Sequence, residues 1–76
     1  MKLILFTGPN CGLCLQAKAL VSLLGRDDLI VEEVNVRNNV DLYHRYGARI
    51  PVLKRDDSKK ELGWIFDSKQ LEEFLA

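Results

Sequence analysis

The stretch that decides the fold runs from residue 2 to residue 25 and reads KLILFTGPNCGLCLQAKALVSLLG. Its first part, Lys2–Thr7, is a nearly continuous apolar run that is too short for a helix and stops before a Gly-Pro pair. This pattern predicts a strand buried on both faces. From Gly12 to about Leu24 the apolar residues recur at helical spacing, and Gly25 is a natural stop. The two cysteines of the chain therefore lie where the predicted buried strand ends and the predicted helix begins.

The middle of the chain predicts a second strand and a short helix. Residues Leu29–Val36 are rich in β-branched types and carry two acidic residues, which suits a strand near a sheet edge. Either Asn38 or Asn39 can cap a helix that continues to Tyr46 and ends at Gly47. We expect the apolar face of this helix to consist of Val40, Tyr43 and Tyr46.

The last third predicts a hairpin followed by a helix. Two short strands flank the polar turn Asp56-Asp57-Ser58. After them, Asp67 as the N-cap with Gln70 three residues later matches a capping box. Phe66, just before the cap, is then placed to pack on Leu71 as a hydrophobic staple.

The predicted order of elements is β-α-β-α-β-β-α, with no repeat and no linker. A right-handed β-α-β crossover makes the first two strands parallel, whereas the closing hairpin must be antiparallel. We therefore expect a single α/β domain over residues 1–76, with a four-stranded mixed sheet and helices on both faces. In such a layout the loop that carries Cys11 lies outside the carboxyl end of a central strand, where ligands and chemistry are favoured.

Length and charge restrict the function. The chain has 76 residues, which is enough for one small domain. Its 11 basic and 11 acidic residues balance, so the basic surface of a general nucleic-acid or membrane-surface binder is not expected. No apolar run approaches the roughly 20 residues of a membrane span, and no export signal is visible. We expect a monomeric protein of the cytoplasm.

Cys11 and Cys14 are three positions apart, a spacing that indicates a chemical role. A bridge across so short a loop constrains an unfolded chain very little, so it is a poor structural staple. At a helix N-terminus, the Cys11 thiol would meet unsatisfied N–H groups and the positive end of the helix dipole, and both favour the thiolate. Cys14, one turn deeper on the apolar side, should be less exposed. This arrangement predicts Cys11 as a nucleophile and Cys14 as the thiol that resolves a mixed disulfide.

Two other interpretations of the pair remain open at this stage. Half of a zinc site also has two cysteines at this spacing, but a closed structural site needs four ligands and the chain adds only His44. Alternatively, both cysteines are inert core residues, since free cysteine is often buried. The turn of Gly and Pro around Cys11 fits that alternative poorly.

Three segments of the chain resemble a glutaredoxin-like member of the thioredoxin superfamily. They are the strand-turn-CGLC-helix at Cys11 to Cys14, YGARIPVLK at residues 46–54, and LGWIFDSKQLEEFL at residues 62–75. The resemblance implies a thioredoxin-like fold and a thiol–disulfide oxidoreductase that acts on protein or glutathione disulfides. It implies no bound cofactor, with electrons coming from glutathione, a reductase or another dithiol protein.

The same resemblance implies further site residues. Pro51 is similar to a proline with a cis peptide bond facing the cysteines, and the backbone of Ile50 would then pair with substrate or glutathione. Gly63 and Asp67 are similar to residues of a glutathione site, although Asp67 also has a sufficient role as a helix cap. Trp64 stands where a second glycine is usual in that site.

Two other function classes stay open from the sequence. One is a non-catalytic binding module that holds a protein or peptide in the groove near Pro51. The other is an iron–sulfur carrier, in which two subunits share a cluster through Cys11 and glutathione.

Overall fold

The computed structural model describes residues 1–76, and strand β1 (Lys2–Thr7) is central to it. On one side β1 pairs in parallel with β2 (Ile30–Asn35), where Leu5 lies opposite Glu33. On the other side it pairs antiparallel with β3 (Val52–Arg55), where Leu5 lies opposite Leu53. The predicted bounds of β1 are confirmed, whereas β2 is one residue shorter at each end than expected.

Strand β4 (Glu61–Gly63) completes the sheet by pairing antiparallel with β3. The spatial order is β2-β1-β3-β4, so the four-stranded mixed sheet is confirmed. A turn at residues 56–58 connects the two strands of this hairpin. The long crossover between β1 and β2 contains a helix, as parallel pairing requires.

Helices cover both faces of the sheet, which confirms the predicted layering. Helices α1 (Gly12–Leu23) and α3 (Ser68–Leu75) lie on one face, and α2 (Val40–Tyr46) lies on the other, preceded by a single 3-10 turn at Val36–Asn38. None of the three helices has the length and apolar character that a bilayer span requires.

The alternation of side chains along β1 separates two apolar clusters. Leu3 and Leu5 point toward α1 and α3, while Phe6 points toward α2. The first cluster is completed by Ala17, Val21, Leu53, Phe66, Leu71 and Leu75, and the second by Val36, Tyr46 and Val52. Because both faces of β1 are buried, its run of apolar residues does not alternate with polar ones.

The predicted apolar face of α2 is confirmed at Tyr46 and wrong at Val40 and Tyr43. Val40 is 72% exposed and Tyr43 is 50% exposed. The face that packs on the sheet consists instead of Leu42 and Tyr46, four residues apart, and the Tyr46 ring stacks on Phe6 with centroids 4.0 Å apart. In a helix of only seven residues, the residue that meets the sheet sets the face.

Caps define the helix ends as local sequence predicted. Asn39, not Asn38, caps α2 by accepting the backbone N–H of Leu42 at 3.1 Å. Asp67 and Gln70 form the expected capping box at the start of α3, with reciprocal bonds of 2.8 and 3.0 Å. After α1, Gly25 has a φ of 61°, a conformation that glycine adopts readily.

Candidate active site

Cys11 lies in the loop between β1 and α1, at the carboxyl end of the central strand, and Cys14 follows within α1. Cys11 is the N-cap of α1 and is half-buried, whereas Cys14 lies in the first turn and is 4% exposed. The two are joined in a disulfide with an S–S distance of 2.14 Å, and their Cα atoms are 5.2 Å apart. Cys14 is therefore the less exposed cysteine, as predicted.

The N-terminus of α1 directs positive charge at Cys11. Its Sγ accepts a hydrogen bond from the backbone N–H of Cys14 at 3.0 Å. No acidic residue lies in the first turn of the helix to offset the positive end of the helix dipole. Both features favour negative charge on Cys11 when the disulfide is opened.

The segment Ile50-Pro51 lies beside the cysteine loop, and its peptide bond is cis, as the family resemblance implied. Pro51 is buried, and its carbonyl accepts the backbone N–H of Trp64 at 3.1 Å. The side chain of Ile50 packs against Gly8, where a Cβ would lie 2.8 Å from Cδ1 of Ile50. The structure thus brings the Ile50-Pro51 segment into contact with the loop that holds Cys11.

The structure places Gly63 and Asp67 differently with respect to this site. Gly63 is the last residue of β4 and lies opposite Val52, which follows Pro51 directly. Asp67 is exposed at the start of α3, where its hydrogen bonds are those of the capping box. The binding roles of Ile50, Pro51, Gly63 and Asp67 stay predictions.

Comparison with known proteins identifies the family. A family model described as Glutaredoxin-like domain (DUF836) matches residues 2–76. The chain belongs to this glutaredoxin-like family. Among curated protein sequences, none matches the chain.

Solved structures show the same thioredoxin-like fold. The X-ray structure of XcR50, a structural-genomics target protein from X. campestris, is 30% identical with a TM-score of 0.85, and the match covers 96% of this chain and 93% of that one. A point mutant of thioredoxin from Halobacterium salinarum is 27% identical with a TM-score of 0.70, and the match covers 96% of this chain and 69% of that one.

Trp64 of this glutaredoxin-like domain is a packing residue. Its ring meets Phe66 edge to face at 5.1 Å and packs on the cluster shared by α1 and α3. Its indole N–H is buried without a hydrogen-bond partner. Ile65, the next residue, is 80% exposed and is the apolar side chain that this segment presents outward.

A polar cluster that sequence reasoning missed includes two residues just before the Ile50-Pro51 segment in the chain. Tyr46 is 1% exposed, and its hydroxyl donates to Oε2 of Glu61 at 2.5 Å. Arg49 lies over the Tyr46 ring at 5.2 Å and reaches Glu61 at 3.7 Å. Burial, followed by the nearby Glu61 carboxylate, raises the pKa of Tyr46. A buried tyrosine usually finds a partner for its hydroxyl, but the sequence does not say which one.

Lys18 and His44 make no hydrogen bond to either cysteine. Lys18 pairs with Glu33 of β2 at 3.0 Å, so it serves as a helix-surface residue. His44 is exposed on α2. No group of three or more His, Cys, Asp and Glu side chains is placed to hold a metal ion, which leaves Cys11 and Cys14 without further zinc ligands.

Proposed function

We propose that this glutaredoxin-like protein is a thiol–disulfide oxidoreductase in which Cys11 is the nucleophile and Cys14 the resolving thiol. The observation that carries the proposal is the unequal exposure of a bonded pair at a helix N-terminus, with Cys11 half-buried and Cys14 4% exposed. A substrate can therefore reach Cys11 more readily than Cys14. This asymmetry supports the two proposed roles.

The first step starts from the reduced protein. The Cys11 thiolate, stabilised by the Cys14 N–H and the start of α1, attacks one sulfur of a substrate disulfide. A bond forms between Cys11 and that sulfur while the substrate S–S bond breaks. The departing sulfur leaves as a thiolate and takes a proton from water.

The second step regenerates the bond seen in the structure. The Cys14 thiol gives up its proton, and the thiolate attacks Sγ of Cys11 in the mixed disulfide, which releases the other half of the substrate as a thiolate. The Cα separation of 5.2 Å lies within the range of ordinary disulfides. Two electrons pass from the dithiol to the substrate.

The substrate is a protein or glutathione disulfide, and the reaction needs an external dithiol, a reductase or glutathione to return the protein to its reduced state. The backbone of Ile50 would pair with an extended substrate, because it lies beside the cysteine loop. Gly63 and Asp67 are the candidate contacts for glutathione. No bound cofactor enters the mechanism.

A redox titration tests the proposal. Purified protein is equilibrated in buffers with a graded ratio of reduced to oxidised glutathione. The reaction is quenched with acid, and the mass of the intact protein is measured by mass spectrometry. We expect a reversible loss of two protons as Cys11 and Cys14 join, which defines a dithiol couple. A persistent glutathione adduct on Cys11 would indicate chemistry linked to glutathione. Thiols that stay unchanged at every ratio would exclude the redox proposal in favour of a binding module.

Two variants assign the roles of the cysteines. Cys11→Ser should abolish the reduction of a model disulfide, since the exposed nucleophile is gone. Cys14→Ser should accumulate a mixed disulfide on Cys11, because nothing resolves it. Full activity of the Cys11→Ser variant would contradict the proposal.

A further inference from the structure

A cleft lies next to the cysteine loop, on the side of the sheet that carries α2. It has a volume of about 210 Å³ and is lined by Asn10 of the loop, Arg37 of the 3-10 turn, Tyr43 of α2 and Ile50, among others. We call it the Arg37 cleft. Asn10 precedes Cys11 directly, so the cleft adjoins the segment that holds the proposed nucleophile.

The polar groups of the Arg37 cleft favour an anion. Arg37 is its only charged lining residue, and the guanidinium makes no hydrogen bond or ion pair within the chain. The Tyr43 hydroxyl and the Asn10 amide also have no partner in the chain. An arginine fork with no carboxylate beside it is suited to bind a planar carboxylate.

The size and surroundings of the cleft point to one side chain of a larger partner. Its volume is below the roughly 300–1,000 Å³ of sites that hold a complete small ligand. Arg37 and Tyr43 also border a neighbouring hollow of about 420 Å³ that includes Val40. Val40 is 72% exposed and Tyr43 is 50% exposed, and a polypeptide lying across α2 would cover both.

We propose that the Arg37 cleft receives the carboxylate of an acidic residue that flanks the reactive cysteine of a protein substrate, and that Arg37 binds this carboxylate. The inference rests on the proposed thiol–disulfide exchange, because it concerns which substrates reach Cys11. It adds a specificity-determining contact that neither cysteine provides. An acidic flank would raise the rate of the first step by holding the substrate sulfur near Cys11.

The test uses short peptides with one central cysteine in a mixed disulfide with 2-thiopyridine, a neutral leaving group. Each peptide carries either Glu or Gln at one flanking position. In a single turnover of reduced protein, the Cys11 thiolate attacks the peptide sulfur and releases pyridine-2-thione. Cys14 then attacks Cys11 and releases the peptide thiol, so two electrons reduce one disulfide. Release of the thione measures the rate constant.

We expect the Glu peptide to react about fivefold faster than its Gln counterpart at one or more flanking positions, which is the size of a favourable, partly exposed ion pair. The preference should fall with added salt. It should be lost in Arg37→Gln and be partly restored in Arg37→Lys. Arg26→Gln removes the same charge at the opposite end of the sheet, next to Asp28, and should keep the preference.

Each other result has a definite meaning. If Glu and Gln peptides react equally at every position, or if the preference survives in Arg37→Gln, the inference is wrong while the proposed function stands. If Arg37→Gln slows reduction of a glutathione mixed disulfide and leaves the Glu preference intact, the cleft binds the carboxylate of glutathione, and the protein-substrate inference is also wrong. If no peptide reacts with the wild-type protein, the proposed thiol–disulfide exchange is wrong, and the inference that rests on it is wrong as well.

Discussion

Gly8 and Ile50 join the two halves of the candidate site. A Cβ atom at Gly8 would lie 2.8 Å from Cδ1 of Ile50, which is closer than real Cβ contacts come. Gly8 belongs to the loop that carries Cys11, and Ile50 precedes the buried Pro51. Their contact therefore sets how closely the Ile50-Pro51 segment approaches the loop that carries Cys11.

Substitution Gly8→Ala should change the site more than it changes stability. The atom that it meets is the end of a flexible side chain, so we expect Ile50 to rotate and the free energy of unfolding to fall by only about 1 kcal/mol. The rate of disulfide reduction should fall more clearly, since Ile50 moves. Urea unfolding and a stopped-flow reduction assay measure the two effects.

A second substitution serves as the control. Ile50→Val removes the methyl group that meets Gly8, so the double variant Gly8→Ala/Ile50→Val should recover both stability and rate relative to Gly8→Ala alone. If the double variant shows only the sum of the two single effects, the contact does not position the loop.

Removing the Tyr46 hydroxyl should destabilise the protein in a pH-dependent manner. Tyr46→Phe deletes the hydrogen bond from a buried hydroxyl to Glu61, and we expect the free energy of unfolding to fall by about 1–2 kcal/mol at neutral pH. Tyr43→Phe is the matched control, because that hydroxyl lies on a half-exposed ring without a partner, and its effect should stay within about 0.5 kcal/mol.

The pH dependence follows from the raised pKa of Tyr46. The folded protein retains the phenolic proton at a pH where the unfolded chain, with a tyrosine pKa of about 10, has released it. The stabilisation is therefore complete below about pH 10 and is lost as the pH rises through the pKa of the folded state. Wild type should lose stability above pH 10 more steeply than Tyr46→Phe. Parallel curves for the two proteins would contradict this assignment.

Arg55 links the hairpin to the end of α3. Its substitution should change both the pKa of Asp57 and the thermal stability of the protein. Its Nη1 donates to the carbonyls of Phe74 and Ala76 at 2.8 and 2.9 Å, while Nε and Nη2 donate to the Asp57 carboxylate. The hydrogen bonds from Arg55 lower the pKa of Asp57 to about 2. In Arg55→Gln, a titration followed by NMR should show that this pKa returns toward 3.8.

The stability effect of Arg55 has a close internal control. In the wild-type protein, the ionised Asp57 carboxylate stabilises the folded state. This stabilisation is present at pH values above the pKa of the unfolded chain, near 3.8, and is lost as the pH falls through the folded-state pKa of about 2. Arg26 pairs with Asp28 in the same way but does not contact α3. Arg55→Gln should therefore lower the thermal midpoint more than Arg26→Gln. Equal shifts would mean that the carbonyl contacts contribute nothing.

Two substitutions separate the structural and binding roles of Asp67. Asn is as good an N-cap as Asp, so Asp67→Asn should retain stability while it removes the charge. Asp67→Ala removes the cap and should cost about 0.5–2 kcal/mol. If Asp67 contacts glutathione, both variants should react more slowly with glutathione mixed disulfides. A wild-type rate in Asp67→Asn would leave Asp67 with the capping role only.

Local sequence determined the secondary-structure elements and the position of the cysteine pair. The bounds of β1, the start of α1 at Gly12 and the capping box of Asp67 and Gln70 each depend on residues a few positions apart, whose spacing and backbone preferences suffice. The order of these elements, with the handedness rule, then fixed the mixed sheet and placed Cys11 at the end of its central strand.

Only the tertiary structure decided how distant residues meet. The contact of Gly8 with Ile50, the bond of Tyr46 to Glu61 and the Arg37 cleft each join segments that are far apart in the chain. The same applies to the buried face of α2, where Tyr46 was predicted correctly and Val40 and Tyr43 were not, because packing against the sheet decides which side of a short helix is buried. Such contacts depend on strand pairing and side-chain packing across the sheet, and no periodicity within one segment encodes them.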